Sequence, residues 1–88
     1  MTESNIFIEE HITTDHRNRI VYDLETPHGI LDAVFDPTTR WFGIANVAVD
    51  YYYRKQGIGK ALLRAALDTA LKEDARLIHT LQLYLESA

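Results

Sequence analysis

The chain has 88 residues, 47% of them apolar and 25% charged, and 9 Lys and Arg against 13 Asp and Glu give a net charge of −4. This is the balance of one small globular domain with a thin core, and it excludes wholesale disorder, collagen-like repeats and coiled coils. No apolar run reaches the roughly 20 residues of a membrane span, there is no cysteine for disulfides, thiolate catalysis or Cys-ligated metals, and the acidic balance argues against nucleic acid as a partner.

The first ten residues carry acids and no basic n-region, so they do not read as a signal peptide, and a cytoplasmic location is expected. Residues 5–11, with Ile6, Phe7 and Ile8, read as a first strand. Residues 13–18 read as a turn, and 19–24 (RIVYDL) as a second strand. Glu25-Thr26-Pro27-His28-Gly29 is a turn by composition. Residues 30–35 (ILDAVF) alternate, with Ile30, Asp32 and Val34 on one face and Leu31, Ala33 and Phe35 on the other. Asp36-Pro37-Thr38-Thr39-Arg40 is a further turn. Residues 41–49 (WFGIANVAV) read as the most buried strand, with Ile44, Val47, Ala48 and Val49 in near-continuous apolar register. Three hairpin-like connections predict an antiparallel meander.

The period changes at Ile58. Through Lys72 the pattern is helical: Lys60, Arg64, Asp68 and Lys72 form a solvated stripe, while Leu62, Leu63, Ala66, Leu67, Ala70 and Leu71 form the opposite side. Residues 76–85 (RLIHTLQLYL) fit either a strand or a helix. The strand reading is preferred because a strand–helix–strand unit gives the 41–49 strand a parallel partner. The fold class expected is therefore α+β, an antiparallel meander followed by strand–loop–helix–strand. A long apolar edge strand at 76–85 invites pairing with a second copy, so a homodimer through the C-terminal segment is expected.

The chemistry is concentrated between the buried strand and the helix, in Arg54-Lys55-Gln56-Gly57-Ile58-Gly59-Lys60. Two glycines let the backbone turn tightly and approach a ligand. The unpaired amides of a helix start, at the positive end of its dipole, suit phosphate or pyrophosphate. The P-loop pattern fails, because no glycine stands at the required distance before a Lys and a hydroxyl residue. The dinucleotide fingerprint also fails, with Leu62 at its third glycine. The four histidines show no i,i+4 pairing, so no metal site is expected. His11 and His16 read as surface residues, and His28 as part of its turn. His79 reads as a partly buried histidine on an apolar face. Tyr51, Tyr52 and Tyr53 serve equally as a ligand wall or as a shield for hydrophobic edges. Without a ligand, Gly57 and Gly59 would make only a tight strand-to-helix turn.

The pattern R-x-x-G-x-G at Arg54, Gly57 and Gly59, preceded by Val47-Ala48-Val49-Asp50 and followed by an Ala/Leu helix, resembles the acetyl-CoA loop of the GNAT superfamily of N-acetyltransferases. The likeness runs from about Gly29 to Tyr84. It implies a single domain over residues 1–88, lacking the family's usual C-terminal helix and strands. It also implies transfer of acetyl from acetyl-CoA to a primary amine of a small molecule or peptide, without a metal or a membrane. On that resemblance, the backbone of Val47, Ala48 and Val49 would hold the pantetheine arm. The loop from Arg54 through Lys55, Gln56, Gly57, Ile58, Gly59 and Lys60 would hold the pyrophosphate. Many family members carry a glutamate near the start of the strand before the loop, whereas Trp41-Phe42-Gly43-Ile44 has no acid. Asp32, Asn46 and Tyr84 are the candidates left for acid–base work. The alternative is a non-catalytic CoA-binding or regulatory dimerising module that keeps the loop without the acid–base groups.

Overall fold

The computed structural model describes residues 6–79. Its elements are β1 (Glu9–Thr14), β2 (Ile20–Thr26), β3 (Gly29–Asp36), β4 (Trp41–Val49), α1 (Ile58–Lys72) and β5 (Leu77–His79). They make one sheet in the order β1-β2-β3-β4-β5. The first four strands are antiparallel neighbours, and β5 runs parallel to β4. This is the α+β arrangement expected. Of the 76–85 segment, Leu77–His79 is indeed a strand, and the rest, Tyr84 included, lies outside the described residues.

The turns are built by short polar side chains. Asp15 accepts from the amides of Arg17 and Arg19, both at 2.9 Å, and from Arg19 Nε at 2.8 Å. These donors, first the Arg19 amide, hold its carboxyl below the usual range. Asn18 closes the loop at φ 62°, a conformation Asn tolerates. In the second turn, Thr26 Oγ1 accepts from the His28 amide at 3.1 Å. In the third, Asp36 Oδ1 accepts from Thr38 N at 2.9 Å, and Arg40 takes φ 63°.

Alternation along the strands sends Tyr22, Leu24, Leu31, Ala33, Phe35, Phe42 and Ile44 to one face, where α1 covers them with Ile58, Leu62, Leu63, Ala66 and Ala70. No other described element covers the second face. Trp41 lies there, its ring across Gly43, so close that a Cβ on Gly43 would collide with it. The register of β3 and β4 shifts at the Asp32–Ala33 step. Asp32 pairs with Asn46 and Ala33 with Ile44, which leaves Ala45 as the extra residue of a β-bulge.

Helix α1 ends in a Schellman motif. Asp74 adopts φ 57°, its amide donates to Leu71 O, and the Ala75 amide donates to Ala70 O, both at 3.0 Å. The Arg40 guanidinium binds the Asp74 carbonyl, at 2.8 Å from Nη2, and also its carboxylate. Arg76 N donates to Arg40 O at 2.8 Å, which starts β5 beside β4.

Tyr22 connects the sheet to the end of α1, donating from its hydroxyl to Glu73 Oε2 at 2.8 Å. Burial and this bond push the phenol well above its ordinary value of 10.0. The folded state therefore keeps this proton more tightly than the unfolded one. The stability it contributes is complete below about pH 10 and is lost as the pH climbs from there toward the folded-state value. Tyr22→Phe should lower stability by about 1 kcal/mol at neutral pH and flatten the loss above pH 10, read from denaturant melts at pH 7 and 11.

Three expectations are corrected. The first strand is not at 5–11 but at Glu9–Thr14: Ile6 and Ile8 pack against the core before the strand begins, while the strand itself is exposed throughout. The near-continuous burial expected over β4 holds only for Phe42, Gly43 and Ile44. After the bulge Ala45, Asn46 and Ala48 are exposed, while Val47 and Val49 are half-buried. Leu71, assigned to the apolar side of α1, is 65% exposed, because α1 overruns the sheet at its last turn.

Candidate functional site

The stretch between β4 and α1 begins with Asp50, whose amide donates to His28 O at 2.8 Å and so anchors it to the β2–β3 turn. A single 3-10 turn follows at Tyr51–Tyr53. His28 stacks on Tyr53 with ring centroids 3.5 Å apart and 5° between planes, and its Nδ1 lies 3.5 Å from Asp50 Oδ2. Sequence reading treated His28 as a turn residue and missed this cluster. Two residues of a turn and two of a loop, more than twenty positions apart, meet only once the hairpin has folded. Tyr51 and Tyr52 are exposed and edge-to-face, at 5.3 Å.

Arg54 folds back on the strand. Its Nε donates to Val49 O at 3.2 Å, and its guanidinium carbon sits 5.5 Å over the Tyr51 ring. Lys55, at φ 65°, Gln56 and Gly57 are exposed. Gly57 takes φ 87° as the N-cap of α1, where side chains are strained, and a Cβ there would meet nothing within 4 Å. Ile58 then enters the core and fixes the first turn against the sheet. Gly59 sits above Val49, with 3.6 Å between a built Cβ and Val49 Cγ2. No side chain caps the helix start and no acid occupies its first turn. The first amides of α1 therefore emerge between Gly57 and Lys60, beside basic and uncrowded residues, in the geometry that receives an anionic oxygen.

The edge of β4 leads to the same place. β5 pairs only with Trp41, Phe42 and Gly43, so from Ala45 to Val49 no described strand occupies that side. Backbone amides and carbonyls along such an edge are open to an extended ligand. Val47 and Val49 lean onto the core, and Ala48 faces away from it.

Asp32 and Asn46 are direct cross-strand partners on the uncovered face. Asp32 is half-buried, and its carboxyl is held above the usual range, first by a hydrogen bond with Asp23, then by desolvation and the Asp23 charge, with Asn46 pulling the other way. Asp23 was not singled out in the sequence. On the same face, Glu9, His11 and Glu25 each offer a donor atom, all within 4.8 Å of one another, a set that could hold a divalent cation. The i,i+4 search for histidine ligands misses it because the set is built across strands. A groove of about 260 Å³ between β1 and α1, lined by Ile8, Leu24, Ala65 and Thr69 among others, shares no residue with the glycine loop.

The model of the acetyltransferase (GNAT) family matches residues 2–86. No curated protein and no solved structure matches the chain. No helix among the described residues is long and apolar enough to cross a membrane.

Proposed function

Because the chain belongs to the acetyltransferase (GNAT) family, we propose that it is an N-acetyltransferase that moves the acetyl group of acetyl-CoA to a primary amine. The observation that carries this reading is the helix start at Gly57–Lys60. It is uncapped and free of acid, and the half of β4 that leads to it has no described strand on its outer side. In this reading the amides of the first turn of α1 receive the pyrophosphate, and Lys55 and Lys60 add charge beside it. Arg54 leaves Val49 O to reach the ligand, or keeps that bond and orients the loop. The pantetheine arm extends along β4 past Val49, Ala48 and Val47. Cofactor binding needs no metal here.

The test is a calorimetric titration with acetyl-CoA. Saturable micromolar binding is expected in the wild type, with at least a tenfold loss in Gly57→Trp. That variant should fold, since the position is open on its outer side and the left-handed backbone costs about 1–2 kcal/mol. No binding at millimolar acetyl-CoA would sink the reading. Binding without turnover on a panel of primary amines would favour a CoA-binding regulatory module, a reading supported by the absence of an acid in Trp41–Ile44.

A further inference from the structure

We propose that Asp32 is the proton acceptor for the incoming amine, and that the cross-strand row His11–Asp23–Asp32–Asn46 on the uncovered face of the sheet passes that proton to solvent. The inference rests on the acyltransferase reading above and gives it the acid–base chemistry it lacks.

The row follows from register. His11 is directly opposite Asp23, Asp23 opposite Asp32, and Asp32 opposite Asn46. Direct cross-strand partners hold their Cβ atoms about 4.5–5.5 Å apart, so four strands carry an unbroken line of polar side chains. His11, at one end, is exposed. Asn46, at the other, adjoins the bulge at Ala45, where β4 loses its described outer neighbour. Asp32 is thus one strand spacing, about 4.8 Å, from the edge along which an acyl thioester would lie.

Two carboxylates directly opposed on a sheet repel each other unless a proton or a donor stands between them. Asp32 has both remedies: a hydrogen bond shared with Asp23 and one donated by the Asn46 amide. The groups facing it are Asp23 and Glu25 from β2 and Asn46 from β4, with Glu9 and His11 beyond them on β1. This negative surround makes Asp32 a stronger base than a solvated carboxylate, and it also favours a cationic amine at the site. Asp23 is a positioning residue that acts through Asp32.

The transfer balances as follows. The ammonium of the acceptor gives one proton to the Asp32 carboxylate. The freed lone pair forms the N–C bond to the thioester carbonyl carbon. The C–S bond breaks with its electron pair on sulfur, and the sulfur takes the second N–H proton. The products are the amide, the free thiol and one net proton, which leaves through Asp23 and His11.

Two measurements test this. The first follows the side-chain carboxyl carbons of Asp23 and Asp32 by NMR across pH and needs no acceptor. Two separated titration steps are expected, and in Asp23→Asn the Asp32 step falls toward the usual carboxylate range. A single ordinary step for Asp32 that Asp23→Asn leaves unmoved overturns the proposal. The second measures thiol release from acetyl-CoA with spermidine, ethanolamine and lysine methyl ester. Asp32→Asn should lose about 10²–10³-fold in kcat with acetyl-CoA affinity unchanged, and Asp32→Glu should recover part of it. Asp23→Asn should move the acidic limb of kcat/KM to lower pH, which a structural role would not do. Loss of less than threefold in Asp32→Asn, or no turnover by the wild type on any of the amines, also overturns it. Failure of the acyltransferase reading itself shows separately, as absence of acetyl-CoA binding in the calorimeter.

Discussion

Phe42→Ala is expected to leave the domain largely unfolded at 37 °C. Phe42 has no exposed surface, lies opposite Phe35, and holds its ring 6.2 Å from that of Tyr22. It sits on the one stretch of β4 that is paired on both sides, to β3 and β5. Removing such a ring costs about 3–5 kcal/mol, from lost transfer energy and from the cavity left behind. A domain of this length holds roughly 5–10 kcal/mol in total, so about half of it goes. Chemical denaturation followed by the single Trp41 reads the loss directly. Leu71→Ala is the matched control. The sequence pattern puts both residues in the core, yet Leu71 is largely solvated, and its replacement should stay within about 0.5 kcal/mol. Equal losses in the two variants would mean that α1 sits elsewhere on the sheet.

Gly59→Ala is expected to separate stability from binding. The residue lies in the first turn of α1 with no positive φ, and its new methyl would make only an ordinary 3.6 Å contact with Val49. Replacing glycine by alanine inside a helix should gain about 0.5–1 kcal/mol, a few degrees in Tm for a domain of this size. If the amides around it receive a pyrophosphate, the same methyl stands where the ligand's oxygens must come close, and affinity for acetyl-CoA should fall at least tenfold. A rise in Tm with unchanged affinity would mean that the glycines serve the turn alone. A fall in both would mean that the variant disturbs the loop, and Gly57→Trp would then carry the test.

What could be read from the sequence, and what could not, divides along physical lines. The bounds of β4 and α1 came out as Trp41–Val49 and Ile58–Lys72 because burial wrote a clear period into both. The α+β class followed from the change of period between them. β1 was misplaced because it is an edge strand whose six residues are all exposed. Its position is set by backbone pairing around the Asp15 turn, which apolar pattern does not report. Burial on β4 was overestimated because Val47-Ala48-Val49 reads as one apolar run, while only its first and last residues face α1.

The glycine loop was legible because its residues are contiguous. The Asp23–Asp32 contact and the Glu9, His11 and Glu25 group were not, since they depend on which residue of one strand stands opposite which residue of the next. The turns at Asp15–Asn18 and Pro27–His28 contain that information. Had their lengths been used to fix the pairing, Asp23 would have been found opposite Asp32.

The bulge at Ala45 has a consequence for how this chain can change length. Side chains in a strand point up and down by turns, so one inserted residue reverses the parity of everything after it. Without Ala45, Asn46 would stand opposite Leu31, beneath the helix, and Val47 would stand opposite Ile30, in water. The chain could lose a residue from its third turn and adjust nearby, but a deletion within β4 would exchange the inner and outer side chains of the strand's whole second half. The oddness of one residue count lets a single strand contribute valines to the core and an asparagine to the opposite face.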